Sequence, residues 1–534
     1  VKEDFPLRLS SRHLVSVALL LVCSTLVAHT QSTDSLGSRV EKIMARPEFA
    51  HSNFGIEFYD LESGKVLYSL NPEKLFVPAS TTKLLTEGTL LAKLGPNYRF
   101  HTPIYRTGPI DKHGTLKGDL ILLASGDPNL SNRIQTNGTL AFVDEDHSYQ
   151  GPALPGDPLV VIKELAQQVK AKGIRKIQGH VYVDASLLPD GAHEGGTDVV
   201  MSSIIVNDNV IDLVGKPGAK VGEPAELSVS PQTSYIHFSN GIKTGAAESK
   251  LAFDAADPTT NPDGSLTMIL SGNIPLGLKP QNAAVPVPSP TQFATIVLRE
   301  AITSAGIQIK TKKGDDAVKD FKKFQKLYEP EYQVAEHVSP ALSEEVRITL
   351  KVSQNLHAGM GPYLLGLLVA KDSKDPLHAG FKVEHKFLTE AKLDLSGASQ
   401  GDGAGGDWAD LFSPDFICHY LAYWKTRPDF QFLFNGLPIL GKDGTLAKIQ
   451  VDNPAAGHVF AKTGTFGAED KLNSRLILNG KGLAGYIQTK SGKTLAFAAY
   501  VNHTALPDEP EISQKVAGQA LGEIAASAYE VSLP

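Results

Sequence analysis

Apolar residues recur at helix-compatible spacings after Pro78, at Leu84, Leu85, Leu90, Leu91 and Leu94, and Gly95-Pro96 ends the run. The same period predicts helices over 36–44, 159–172, 291–305, 341–352, 356–369 and 510–529. Alternation of period two predicts a hairpin from 54–61 and 65–70, turned at Glu62-Ser63-Gly64. A second hairpin, 483–489 with 494–501, turns at Ser491-Gly492. Between about residues 100 and 338 the texture changes to short strands, such as 118–123, 177–183 and 266–270, separated by Gly, Pro and Asp turns. Residues 310–326 are polar and lysine-rich, which predicts a solvated loop or edge.

This order of elements predicts an α/β (α+β) chain in which one discontinuous domain, 34–105 with 339–534, carries a long and mainly β insert, 106–338, of two subdomains. A chain of 534 residues is too long for one ordinary core. At 42% hydrophobic and 20% charged residues the composition is globular, and a net charge of −7 gives no basic footprint, so nucleic acid is not an expected partner. The first thirty residues differ. Arg8 and Arg12 precede an apolar run from Leu14 to Ala28, which is short for a membrane span and fits the core of a signal peptide. Export follows as an expectation, to the periplasm or cell envelope, peripheral to a membrane at most. Cys23 would leave with that leader, so Cys418 would have no partner for a disulfide and reads as a buried thiol.

The chemistry concentrates at Ser80-Thr81-Thr82-Lys83. A serine ahead of an amphipathic helix most often caps it, and a lysine in the first turn is usually solvated. Against that reading, Lys83 is the only lysine of the chain with a serine three residues before it. A lysine kept from bulk water can accept the hydroxyl proton, and the positive helix end suits an oxyanion. Downstream, Ser353-Gln354-Asn355 falls between two expected helices. Lys462-Thr463-Gly464-Thr465 reads as a strand whose glycine admits a substrate backbone. Ser69-Leu70-Asn71, Ser271-Gly272-Asn273 and Lys243-Thr244-Gly245 match the same short patterns in less suitable places. Gly401-Asp402-Gly403-Ala404-Gly405-Gly406 satisfies G-x-G-x-x-G, but no strand leads into it as in a dinucleotide site. No His-Glu-x-x-His pair occurs, so neither a metal nor a cofactor is expected.

Ser-x-x-Lys, Ser-x-Asn and Lys-Thr-Gly in this order resemble the active site shared by penicillin-binding proteins and serine β-lactamases. The long interval between Ser80 and Ser353 resembles the D-alanyl-D-alanine carboxypeptidase/endopeptidase family of penicillin-binding protein 4 type. Gly118-Asp119-Leu120, Gly126-Asp127-Pro128, Val206-Asn207-Asp208-Asn209 and Leu483-Ala484-Gly485-Tyr486 extend that likeness over most of the chain. The resemblance implies a β-lactamase/transpeptidase-like domain that cleaves peptidoglycan stem peptides and is blocked by β-lactams. It implies Ser80 as nucleophile, Lys83 as its base, and Ser353, Asn355 and Lys462 as the proton-relaying wall. Thr463 or Thr465 would hold the terminal carboxylate, the Ser80 and Thr465 amides would form the oxyanion hole, and Gly464 would let the substrate strand approach closely. Asp184, from the insert, would meet an amine on the substrate side chain, or else be a turn residue at a strand end. The alternatives are a serine β-lactamase or esterase, and a wall-binding protein without turnover. Residues 467–479 exceed the tight hairpin usual there.

Overall fold

The computed structural model describes residues 35–311, 320–509 and 511–531, and the expected leader lies outside them. The central sheet is antiparallel, in the order Lys65–Leu70, Asn53–Asp60, Thr494–Asn502, Arg475–Gln488, Val459–Asp470. Alternate residues of its middle strand go to opposite cores. Leu495, Phe497, Ala499 and Val501 pack with Ile56 and Phe58 under the helices Leu36–Met44 and Gln519–Tyr529. Ala496, Ala498 and Tyr500 face the helices Lys83–Leu94, Leu342–Val352 and Pro414–Lys425. Burial on both faces explains why 494–501 reads as nearly continuous apolar residues rather than as a clean alternation.

A third core belongs to the stretch expected as the insert, from Ile104 to Ala335. It holds several small sheets and the helices Val160–Ala171 and Pro290–Ser304. Leu188, Val199, Met201, Ile205 and Val210 leave it and pack with the helices that carry Lys83 and Asn355. That return brings polar residues of the insert against the site.

Two expectations need correcting. Within 310–326, where 312–319 are outside the described residues, Phe324 is buried beside Ile121 and Tyr182, with Phe321 partly buried against it; the stretch is not simply solvated. The surrounding lysines hide this pair from a composition argument. The last helix is preceded by a π turn, Gln514–Gly518, and its expected start, Pro510, lies outside the described residues.

Candidate active site

Pro78 brings the chain from the sheet into a short 3₁₀ turn, Ala79–Thr82, that runs straight into the helix Lys83–Leu94. Ala79 has φ +47°, a conformation unfavourable for a residue with a Cβ, so the turn presenting Ser80 is held by its surroundings. Gly464 supplies one wall: a Cβ there would stand 2.3 Å from the Pro78 carbonyl oxygen. Gly405 supplies another, where a Cβ would lie 2.0 Å from the Ala79 carbonyl oxygen. Both glycines are required by backbone meeting backbone.

Lys83 is fully buried. Its Nζ donates to Ser80 Oγ at 2.8 Å, Asn355 Oδ1 at 2.6 Å and the Ala404 carbonyl at 3.0 Å. Burial lowers its pKa to about 8, partly offset by Glu194, Asp402, Glu87 and Asp410. The glycine-rich loop 401–406 has a place in this site. Asp402 gathers the Ala404, Gly405 and Gly406 N–H groups, and Asp410 takes that of Gly401, which aims the Ala404 carbonyl at Lys83.

Ser353 caps the helix Leu342–Val352 at φ +64°, and Asn355 opens the next one, so both project from a tight inter-helix turn. Lys462 Nζ donates to Ser353 Oγ at 2.8 Å and to the Thr463 carbonyl at 2.8 Å. Burial holds its pKa well below the usual lysine range, and Lys83 and Lys481 push it further. Tyr149, from the insert, donates to the Ser353 carbonyl at 2.7 Å.

Ser80, Ser353, Asn355, Thr463 and Thr465 line one cleft of about 460 Å³, with Lys83 and Lys462 bonded behind it and Gly464 packed against the Pro78–Ala79 backbone. The strand bearing Lys462 is the sheet edge. Its Ala461 N–H is taken by the Pro438 carbonyl, so by period two the Thr463 and Thr465 N–H groups point to the same open side. Lys481, opposite Thr465 on the neighbouring strand, donates to Thr465 Oγ1 at 2.6 Å and to Gln514 Oε1 at 2.9 Å. Burial brings its pKa down to about 7.

Asp184 is not a residue of this cleft. It ends the strand Val181–Asp184, almost fully buried, where its carboxylate accepts from Tyr328 Oη at 2.5 Å and from the Ser186 N–H. A different cavity lies beside it. The acidic groups that do line the cleft are Asp144, Glu145, Asp146 and Glu511. Glu145 and Glu511 pair with Lys448, and Asp144 accepts the Gly444 N–H at 2.7 Å.

Gln354 was legible only as the filler of Ser-x-Asn, yet it anchors the turn. Its Nε2 reaches Asp146 Oδ1 at 3.1 Å and Asp208 Oδ2 at 3.4 Å. Asp208 lies at φ +53° between two asparagines of similar backbone and accepts from Arg133 at 2.6 Å, His147 at 2.8 Å and His357 at 3.1 Å. Burial opposes its charge, but Arg133 and His357 outweigh that and hold its pKa well below the carboxylate range. Burial likewise opposes charge on His357, and Glu345 with Asp208 lift its pKa to about 10. Although Asp146, His147 and Asp208 converge closely enough to ligate a metal, the Arg133 guanidinium already bridges both carboxylates.

The extra residues after Thr465 prolong the edge strand to Asp470, which pairs with Arg475–Gln488 through a bulge at Phe466/Gly467. Phe466 meets the exposed Trp408 edge to face at 5.2 Å on this rim.

The D-Ala-D-Ala carboxypeptidase 3 (S13) family matches residues 36–521. A D-alanyl-D-alanine carboxypeptidase of Actinomadura sp. (strain R39) is 26% identical over 550 residues, covering 95% of this chain and 94% of its own. Penicillin-sensitive carboxypeptidase A of Dictyostelium discoideum is 23% identical over 444 residues, covering 78% and 76%. The crystal structure of penicillin binding protein 4 from Haemophilus influenzae superimposes with a TM-score of 0.67 at 19% identity, over 92% of this chain and 99% of that one. At that identity the likeness is one of fold.

Proposed function

The chain belongs to the D-Ala-D-Ala carboxypeptidase 3 (S13) family, and from that premise we propose that Ser80 is the nucleophile with which it hydrolyses peptidoglycan stem peptides. It is a serine-type D-Ala-D-Ala carboxypeptidase. The observation that carries the residue assignment is the buried Lys83 amine 2.8 Å from Ser80 Oγ.

In its neutral form Lys83 takes the Ser80 proton as Oγ attacks the carbonyl carbon of the penultimate D-alanine. The oxyanion that forms sits between the Ser80 and Thr465 N–H groups, which are fixed before the reaction begins. Ser353, bonded to Lys462, passes a proton to the departing amine of the terminal D-alanine. The acyl-enzyme is then hydrolysed by water along the reverse proton path. Thr463 and Thr465 hold the terminal carboxylate, and Lys481 behind Thr465 adds positive charge when protonated. The substrate backbone pairs with the open edge of the Lys462 strand. A free ammonium on the diamino acid of the stem peptide is met by Asp144, not Asp184, because Asp144 lines the cleft.

On this reading the described residues of 34–105 and 339–534 make up the catalytic domain, and those of the insert 106–338 contribute Tyr149, Asp144 and Asp208 to it. The protein acts after export in the cell envelope; among the described residues no helix is long and apolar enough to cross a membrane. Penicillin, an amide with a carboxylate in the place of D-Ala-D-Ala, acylates the same serine; a relative named for its penicillin sensitivity supports this. Endopeptidase action on crosslinks uses the same groups. Incubation with a muropeptide pentapeptide tests the reading: tetrapeptide and free D-alanine should appear, and should be absent with Ser80→Ala. A Ser80→Ala enzyme that still releases D-alanine overturns it.

A further inference from the structure

Glu57 is a carboxylate in the wrong place for an ordinary sheet residue. It lies mid-strand in Asn53–Asp60, paired with Ser69 on one side and Ala498 on the other, and is 1% exposed. Its Oε1 is buried with no hydrogen-bond partner among the described residues. An orphaned buried carboxylate oxygen is costly unless it is protonated or something positive meets it. What faces it is the helix Pro414–Lys425, where Asp415 and His419, one turn apart, share a face. His419 Nδ1 lies 3.0 Å from the Asp415 backbone carbonyl and 3.3 Å from Asp415 Oδ1, and one donor atom from each of Glu57, Asp415 and His419 lies within 4.8 Å of the other two. Tyr59, on the same strand face as Glu57, packs its ring 5.2 Å from the imidazole and limits its orientation.

We propose that Glu57, Asp415 and His419 form a binding site for a divalent transition-metal ion, with zinc as the probe ion. Metal–ligand bonds of about 2.0–2.2 Å require donors no more than about 4.4 Å apart, which a small rotation of the half-exposed His419 and Asp415 side chains supplies. Two carboxylates and one imidazole favour a first-row transition ion over calcium or magnesium, which take oxygen donors. The exposed side of Asp415 and His419 admits the ion and leaves room for water to complete its coordination. The two carboxylates balance its charge. Cys418, beside the site, donates to the Glu57 backbone carbonyl at 3.6 Å and stays outside the donor set.

None of the three residues lines the Ser80 cleft, so the ion has a bracing role and takes no part in the reaction. It ties a central-sheet strand to a helix whose Tyr420 Oη donates to the Leu84 carbonyl at 2.7 Å, in the helix that begins at Lys83. The site departs from the sequence expectation of no metal. Asp415 and His419 lie one helical turn apart, but Glu57 comes from a strand far away in the chain, so no short motif contains the whole set.

The test is calorimetric titration of chelator-treated enzyme with Zn²⁺, alongside thermal melts with and without the ion. Wild type should bind one Zn²⁺ per chain and melt higher in its presence, and Ca²⁺ should do neither. His419→Ala should bind at least about tenfold more weakly and lose the melting shift, with unchanged penicillin acylation. Glu57→Gln should behave alike; His419→Ala, a half-exposed position, keeps the test valid should the buried substitution fail to fold. Wild type that binds no stoichiometric zinc overturns the proposal, as does His419→Ala that binds and is stabilised like wild type. Stabilisation by Ca²⁺ equal to that by Zn²⁺ overturns the assignment of the ion.

Discussion

Lys83 Nζ lies 2.8 Å from Ser80 Oγ in a setting where burial, opposed by nearby carboxylates, brings its pKa to about 8. Only the unprotonated amine can accept the serine proton. Acylation by penicillin should therefore rise with pH, about tenfold per unit below pH 8, and level off above it. Stopped-flow acylation across that range measures it. Lys83→Arg keeps a charge that cannot titrate there and should acylate at least about 10²-fold more slowly with folding intact. A flat profile in wild type would assign the base elsewhere.

Lys481 should matter for binding more than for chemistry. Its amine stands behind Thr465, which the proposed reading assigns to the substrate carboxylate, and is not bonded to Ser80. Lys481→Met should raise KM for a D-Ala-D-Ala peptide about tenfold or more, with a smaller change in kcat. A peptide amidated at its terminus should be cleaved equally by mutant and wild type. Equal loss on both peptides would make Lys481 a packing residue.

The two insert aspartates should separate. Asp144→Asn should lower kcat/KM on muropeptides carrying a free side-chain amine and leave the amine-acetylated substrate and penicillin acylation nearly unchanged. Asp184→Asn should leave all three rates alone and lower the melting temperature, since its carboxylate is bound to Tyr328 in a buried site. The opposite assignment of effects would return the amine to Asp184.

Gln354 connects the Ser353 turn to Asp208, and the two residues should fail differently. Asp208→Asn leaves Arg133, His147 and His357 short of a partner and should cost about 3–5 kcal/mol of stability, read by urea unfolding. Gln354→Ala removes no charge but leaves buried partners short of a hydrogen bond, so it should cost less stability than Asp208→Asn, about 1–3 kcal/mol, while acylation slows, with kcat falling more than KM rises. Unaltered acylation in Gln354→Ala would sever the cluster from the site.

What the sequence made legible was local. Ser80 with Lys83, Ser353 with Asn355, and Lys462 to Thr465 each sit within a few residues, so short motifs and helix or strand periods suffice to find them. Lys481 and Ala404 reach Thr465 and Lys83 from behind, and Tyr149 reaches the cleft, by sheet pairing or loop return across long stretches, and no spacing along the chain announces them. The central hairpins were readable because their turns and alternation are strong. Asp184 lies away from the cleft, and in sequence a strand-end aspartate looks the same whether it faces a cleft or a tyrosine from a distant turn. The way Gly401–Gly406 wraps Asp402 to aim a carbonyl at Lys83 is visible only in three dimensions.

The central claim is that Ser80 is the acylated residue. Intact-mass analysis after incubation with a penicillin tests it most directly, followed by peptide mapping of the adduct. One adduct per chain should form, map to the peptide containing Ser80, persist for many minutes and be absent in Ser80→Ala. An adduct that survives in Ser80→Ala, or that maps to another residue, would contradict the account.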